Sequence, residues 1–180
     1  MTKIRINDIF ASINGEVSKL GQGSLCTFIR FQGCNLKCSY CDTKKSQRLS
    51  EGPELTIPQI VKEVKKLGLK NITITGGEPL LQYNGLKELV KALHSFNYIV
   101  SIETNGSLPI PYWQVCWVAD WKTPSSGMHD PKRILFLRGL GGGDFLKFVI
   151  ADEVDFNDAI KVAKKITKYD SPHIVFSPAH

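Results

Sequence analysis

The chain has 180 residues, a formal net charge of +6 and 42% apolar side chains. That length suits one domain, residues 1–180, with a buried core, and no apolar stretch is long enough to span a membrane. The surplus of basic residues falls largely on expected helix surfaces, at Lys62, Lys65 and Lys66 and again at Lys161, Lys164, Lys165 and Lys168. This pattern reads as a solvated face. A basic chain also attracts anionic substrates, but no aromatic-interleaved basic stripe argues for nucleic acid. Residues 1–6 carry no apolar run suited to export, and five cysteines is an odd number for disulfides, so a reducing, cytoplasmic setting is expected.

The elements alternate. Residues 25–32 (LCTFIRFQ) read as a strand running straight into a cysteine-rich loop. Ile57, Ile60, Val61, Val64 and Leu67 share one helical face, with Thr56 as N-cap and Gly68 as the stop. Residues 71–75 (NITIT) form a β-branched strand. Leu86, Leu89, Val90 and Leu93 give a second helical stripe, and a strand follows at 98–103. Further strands are expected at 115–120, 145–150 and 173–176, with a third helix over 155–167 carrying Ile160, Ala163 and Ile166 on one side. Residues 122–143 show proline and glycine clusters and no clear period, as lids and binding loops do. Gly141, Gly142 and Gly143 match no nucleotide fingerprint and suggest flexibility.

Strand then helix, repeated, predicts a parallel α/β sheet. About six strands are too few for a closed eight-stranded barrel, so a curved, open partial barrel is expected. Ligands collect at the carboxyl ends of such strands. The unusual segments all follow strands: the cysteines, Gly76-Gly77-Glu78-Pro79, Glu103-Thr104-Asn105-Gly106 and Asp120-Trp121-Lys122. One composite site at one rim is the expectation.

Cys34, Cys38 and Cys41 stand at C-x3-C-x2-C, with no fourth Cys or His close behind. A [4Fe–4S] cube takes four ligands, usually thiolates, so three from one loop leave one iron open to bind a small molecule. A closed zinc site also needs a fourth ligand; on spacing alone zinc remains an alternative. Cys26 and Cys116 lie in apolar strands and read as core. His94 and His129 show no metal spacing. The glycines of the 76–79 segment permit close backbone approach to a ligand, and Glu78 offers an acceptor for an ammonium; alone, the segment also fits a simple turn.

Together, the cysteine loop and the GGEP segment resemble the radical S-adenosylmethionine (radical SAM) enzymes. In these enzymes SAM chelates the open iron, and one electron cleaves it to a 5′-deoxyadenosyl radical. The flanks narrow the resemblance. Residues 9–16 (IFASINGE), 28–36 (FIRFQGCNL), 41–43 (CDT), 102–106 (IETNG) and 122–128 (KTPSSGM) are similar to the 7-carboxy-7-deazaguanine synthase family, from about residue 9 to the end. That family is a carbon–nitrogen lyase of queuosine and 7-deazapurine biosynthesis. It converts 6-carboxy-5,6,7,8-tetrahydropterin to 7-carboxy-7-deazaguanine with loss of ammonia, using a [4Fe–4S] cluster, SAM and Mg2+. The resemblance implies an open partial (β/α)6 barrel in a minimal form without a C-terminal extension. It also implies a homodimer and an electron donor such as flavodoxin or ferredoxin, with no nucleic-acid or membrane partner.

Residue by residue, the resemblance makes Cys34, Cys38 and Cys41 the cluster ligands and Thr43 a Mg2+ ligand. A lone hydroxyl is a weak ligand, so substrate oxygens and water would complete that shell. It places Tyr40, Gly77, Glu78, Asp120, Trp121, Lys122 and Ser177 on SAM. It places Ile13, Asn14, Gly15, Glu16, Arg30 and Thr75 on the substrate, where a guanidinium suits a carboxylate and Glu16 accepts from pterin N–H groups. Two features depart from the family: Asn14 stands where Gln is usual, and the chain ends at His180 without the terminal helix of many relatives. The rival enzymes are glycyl-radical activating proteins, which share the cysteine spacing and often a D-x-K pair like Asp120 and Lys122. The rival outside enzymes is a zinc-binding or electron-transfer module, which would not bind SAM.

Overall fold

The computed structural model describes residues 2–166 and 171–179. Lys168 and His180, named above, lie outside the described residues, as does Thr167 at the expected end of the third helix. The chain separates into two compact units. One comprises Met1–Asn35 and Thr43–Glu103; the other comprises Leu36–Asp42 and Thr104–His180. Most of the cysteine loop therefore packs with the second unit.

In the first unit the strand order is β3-β1-β2-β4-β5, where β1 is Lys3–Ile13, β2 Leu25–Phe31, β3 Glu54–Thr56, β4 Asn71–Gly76 and β5 Ile99–Thr104. β2 with β4 and β4 with β5 pair in parallel. β1 pairs antiparallel with both β2 and β3, which corrects the all-parallel expectation to a mixed sheet. β1 and β3 have no counterpart in the sequence reading. The register of β1 slips between Ile6 and Asp8, so its apolar alternation changes phase midway and hides the strand.

The two faces of β2, β4 and β5 differ in chemistry because side chains alternate along a strand. Ile29, Phe31, Ile72, Ile74, Val100 and Ile102 form a buried apolar set. The opposite face carries Cys26, Arg30, Thr73, Thr75, Ser101 and Glu103, with Arg30 opposite Thr75 and Thr73 opposite Ser101. Helix α1 is Ile57–Leu67 and buries Ile60, Val61 and Val64. The amide of Thr56 donates to Gln59 Oε1 at 2.8 Å, and Gly68 ends the helix at a φ of 72°. Helix α2, Tyr83–Ser95, buries the expected stripe of Leu86, Leu89, Val90 and Leu93.

In the second unit β6 (Cys116–Trp121), β7 (Phe145–Ile150) and β8 (His173–Pro178) run parallel in that order. Helix α3, Glu153–Ile166, buries Asp155, Ala159 and Val162. Ile160, Ala163 and Ile166 are only half-buried, so the buried face lies one step around the helix from the expected stripe. Residues 122–143 are built on 3-10 turns at Pro124–Ser126 and Pro131–Gly139, and the three-residue period of such turns conceals them from a search at 3.6. The glycine run is a pinned turn: Asp144 N donates to Gly141 O at 3.0 Å and Gly141 N to Asp144 Oδ2 at 2.8 Å. The other Asp144 oxygen accepts the buried Trp117 amide at 2.8 Å. Among the described residues no helix is long and apolar enough to cross a membrane.

Asp144→Ala would strand two amides that this carboxylate satisfies. It should destabilise the protein by about 2 kcal/mol, read as a lower urea midpoint; an unchanged midpoint would show that the turn forms without the carboxylate.

Candidate functional site

In the first unit a polar corner forms at the carboxyl ends of β2, β4 and β5. Arg30 Nη1 donates to Thr43 Oγ1 at 3.4 Å, and the guanidinium lies 5.7 Å from the centre of the Phe10 ring. Phe10 stacks on Phe28 with ring centres 5.2 Å apart. Across from Arg30, Thr75 Oγ1 donates to Glu103 Oε2 at 2.6 Å. Arg30, Thr43 and Thr75 are thus assembled as neighbours, and Glu103 joins them. In the sequence Glu103 stands at a strand end with no local motif to mark a role. Its signal was register: it alternates with Ser101 on the same polar face as Thr75.

The N-terminal segment contributes differently from expectation. Asn14 is fully buried; its Nδ2 donates to Thr73 Oγ1 at 3.3 Å and its Oδ1 accepts the Glu16 amide at 3.0 Å. Its backbone closes a loop, donating to Ser24 O and accepting from Gly23 N, both at 2.8 Å. Asn14 therefore fastens the segment to β4 and presents its neighbours. Ile13 and Gly15 are exposed and Glu16 is half-buried. Gly15 O accepts from Gln22 Nε2 at 2.7 Å.

The glycine pair was expected to let a ligand approach. It also lets the chain approach itself. A Cβ on Gly77 would collide with the carbonyl of Gly33 and stand 2.6 Å from Ser46 O. One on Gly76, at a φ of 138°, would collide with the Phe31 backbone. Glu78 N donates to Gly33 O at 2.7 Å. The Glu78 side chain is fully buried, and its Oε1 caps the 3-10 turn Pro79–Gln82 by accepting Leu80 N at 2.9 Å.

In the second unit Lys122 Nζ pairs with Asp120 Oδ2 at 2.8 Å, and lies 5.8 Å from the centre of the Tyr40 ring. Burial alone would depress the lysine pKa; the Asp120 carboxylate, with Cys38 and Tyr40, outweighs it and holds the ammonium above its ordinary range. Burial pushes the Tyr40 phenol up, Lys122 opposing. Asp120 Oδ1 is buried with no hydrogen-bond partner among the described residues. Trp121 is buried, its Nε1 donating to Asp158 Oδ2 at 2.8 Å, and its ring meets His129 edge-on at 5.8 Å. Ser177 is half-buried in β8, opposite Val149.

Cys34, Cys38 and Cys41 are of intermediate exposure, while Cys26 and Cys116 are buried. Cys26 accepts from Thr73 Oγ1 at 3.6 Å, and burial raises its pKa. Among the described residues no three His, Cys, Asp or Glu side chains, these cysteines included, are gathered into a metal-ligand set. The donor chemistry nonetheless fits an iron–sulfur cluster held by three ligands. The loop supplies three thiols, the donor type such clusters take, and the Lys122 ammonium is close enough to Cys38 for the two to interact electrostatically. The buried, unsatisfied Asp120 oxygen fits a cationic or N–H-bearing cofactor such as SAM.

The radical SAM superfamily model matches residues 28–178. The chain is 36% identical over 181 residues to the 7-carboxy-7-deazaguanine synthase of Clostridium acetobutylicum, covering 97% of this chain and 80% of that one. It is 35% identical to the synthase of the same name from Hyperthermus butylicus, covering 92% and 73%. The crystal structure of QueE from Escherichia coli matches with a TM-score of 0.75 at 20% identity, over 98% of this chain and 84% of that one. This likeness shows the fold.

Because Gly77 abuts backbone, Gly77→Ala should lower the unfolding midpoint and lose cluster loading together. A Gly77→Ala chain with parental stability and iron content would contradict the contact with Gly33.

Proposed function

Since the chain belongs to the radical SAM superfamily and is related to 7-carboxy-7-deazaguanine synthases, we propose that it contracts the ring of 6-carboxy-5,6,7,8-tetrahydropterin to 7-carboxy-7-deazaguanine, releasing ammonia. The observation that carries the reading is the corner built from Arg30, Thr43, Thr75 and Glu103. It offers a guanidinium, two hydroxyls and a carboxylate on adjoining strand ends and the loop after Cys41. The substrate needs that set: a cation for its carboxylate, and acceptors for the N–H groups of the pterin edge.

The family's cofactors are a [4Fe–4S] cluster and SAM; bound here, they would supply the one-electron chemistry that starts the reaction. Cys34, Cys38 and Cys41 would hold the cluster. Within the second unit Asp120, with Lys122, Tyr40, Trp121 and Ser177, would hold SAM. Arg30 grips the substrate carboxylate and is steadied by the face of Phe10. Glu103 and Glu16 accept from the pterin, and Thr75 orients Glu103. Ile13, Asn14 and Gly15 shape the wall. Mg2+ at Thr43 belongs to the same reading: the hydroxyl that now accepts from Arg30 would turn to the cation, with substrate oxygens completing the shell. A one-electron donor such as flavodoxin or ferredoxin and a homodimeric assembly complete the proposal.

Arg30→Ala tests the substrate half. Losing one side of a buried charged pair costs roughly 2–5 kcal/mol, so carboxypterin affinity should fall well over tenfold by anaerobic equilibrium dialysis, with SAM affinity and iron content kept. Parental affinity in that variant would overturn the assignment. For the cluster half, Ala at Cys34, Cys38 or Cys41 should abolish the brown absorbance, whereas Cys26→Ala and Cys116→Ala should retain it. The reverse pattern would reassign the ligands.

A further inference from the structure

Within the second unit, hydrogen bonds run without a gap from a buried carboxylate to the cysteine loop. Asp155, in the first turn of α3, is fully buried. Its Oδ1 accepts the Ser125 amide at 2.9 Å and its Oδ2 the Ala151 amide at 3.0 Å. The carbonyl of Ser125 accepts Ser39 Oγ at 2.7 Å, and the carbonyl of Ser126 accepts the Ser39 amide at 3.0 Å. Ser39 sits between Cys38 and Cys41. The intervening turn is braced from within. Ser126 Oγ donates to Thr123 O at 2.6 Å, Met128 N donates to Ser126 Oγ at 3.0 Å, and Thr123 Oγ1 ties the turn to Val149 O at 2.9 Å.

We propose that Asp155 is a positioning residue that sets the Cys38–Cys41 segment through Ser125, Ser126 and Ser39. A carboxylate is buried only where donors replace water, and bonds from N–H groups to an ionised acceptor are stronger than neutral ones. Here both oxygens are used, one on the turn that clamps the loop and one on the end of β7. Burial alone would raise the Asp155 pKa, but the Ser125 and Ala151 amides outweigh it and hold the group below its ordinary range. The acceptor therefore stays charged at neutral pH. The arrangement makes the cysteine loop depend on a residue more than a hundred positions away, and its bearing on the cluster rests on the cysteine assignment above.

The test uses the metal-free chain first. Individual cysteines are alkylated with iodoacetamide and followed by mass spectrometry in the parent, Asp155→Asn, Ser39→Ala and the double variant. Asp155→Asn should raise the alkylation rates of Cys38 and Cys41 by about tenfold, the factor carried by one charge-assisted hydrogen bond, while Cys26 and Cys116 stay protected. Ser39 is exposed, so Ser39→Ala should reproduce the effect with an unchanged unfolding midpoint. The double variant should add little, because the two changes cut one tether. After reconstitution, both single variants should load less iron and show a broadened electron paramagnetic resonance signal of the reduced cluster. The proposal is overturned if Ser39→Ala alkylates like the parent, or if Asp155→Asn exposes Cys26 and Cys116 along with the loop. A parent chain that takes up no iron would refute the cluster reading, while the alkylation comparison would still decide the tether.

Discussion

The first unit is organised around a backbone contact that leaves no room for a methyl group. The turn at Gly76 and Gly77 presses against Phe31 and Gly33, which places the end of β4 against the segment that delivers Cys34. Gly33 itself carries a φ of 99°, and a Cβ there would meet Leu49. Three positions, Gly33, Gly76 and Gly77, thus favour glycine for steric reasons. The hydrogen bonds of Gly77 and Glu78 to Phe31 O and Gly33 O, at 3.2 and 2.7 Å, then lock the contact. The glycine pair thus brings two strand ends together.

That contact explains why the polar corner can exist. A sheet face carrying Thr73, Thr75 and Ser101 almost fully buried is costly unless its groups bond to one another. Asn14 donates to Thr73, Thr75 donates to one oxygen of Glu103, and the Lys19 amide donates to Ser101 Oγ at 3.3 Å. The N-terminal loop over residues 14–24 is therefore a structural partner of the strands as well as a wall of the candidate site. Asn14 serves this inward role with both ends of its side chain.

Much of this was legible in the sequence, and the failures have physical causes. The strands read from β-branched apolar runs, β2 and β4 to β8, are all present, because their alternation is uninterrupted. β1 escaped because its register slips beside Asn7, and β3 because three residues carry no periodicity. The roles proposed for residues beside the cysteines rest on resemblance. Glu103 and Asp155 were missed because their roles arise from register and from contacts far apart in sequence, which no local pattern encodes. The face of α3 was misplaced because its buried side includes a charged residue, Asp155, that an apolar count passes over.

The central claim is that the chain acts on a carboxylated tetrahydropterin. Anaerobic reconstitution, followed by incubation with SAM, a one-electron reductant and 6-carboxy-5,6,7,8-tetrahydropterin, tests it most directly, with mass spectrometry of the product and assay of released ammonia. The account predicts 7-carboxy-7-deazaguanine and ammonia in equal amounts, with SAM cleavage stimulated by the pterin. A fully iron-loaded chain that cleaves SAM at the same rate with and without the pterin, and leaves the pterin intact, would contradict it.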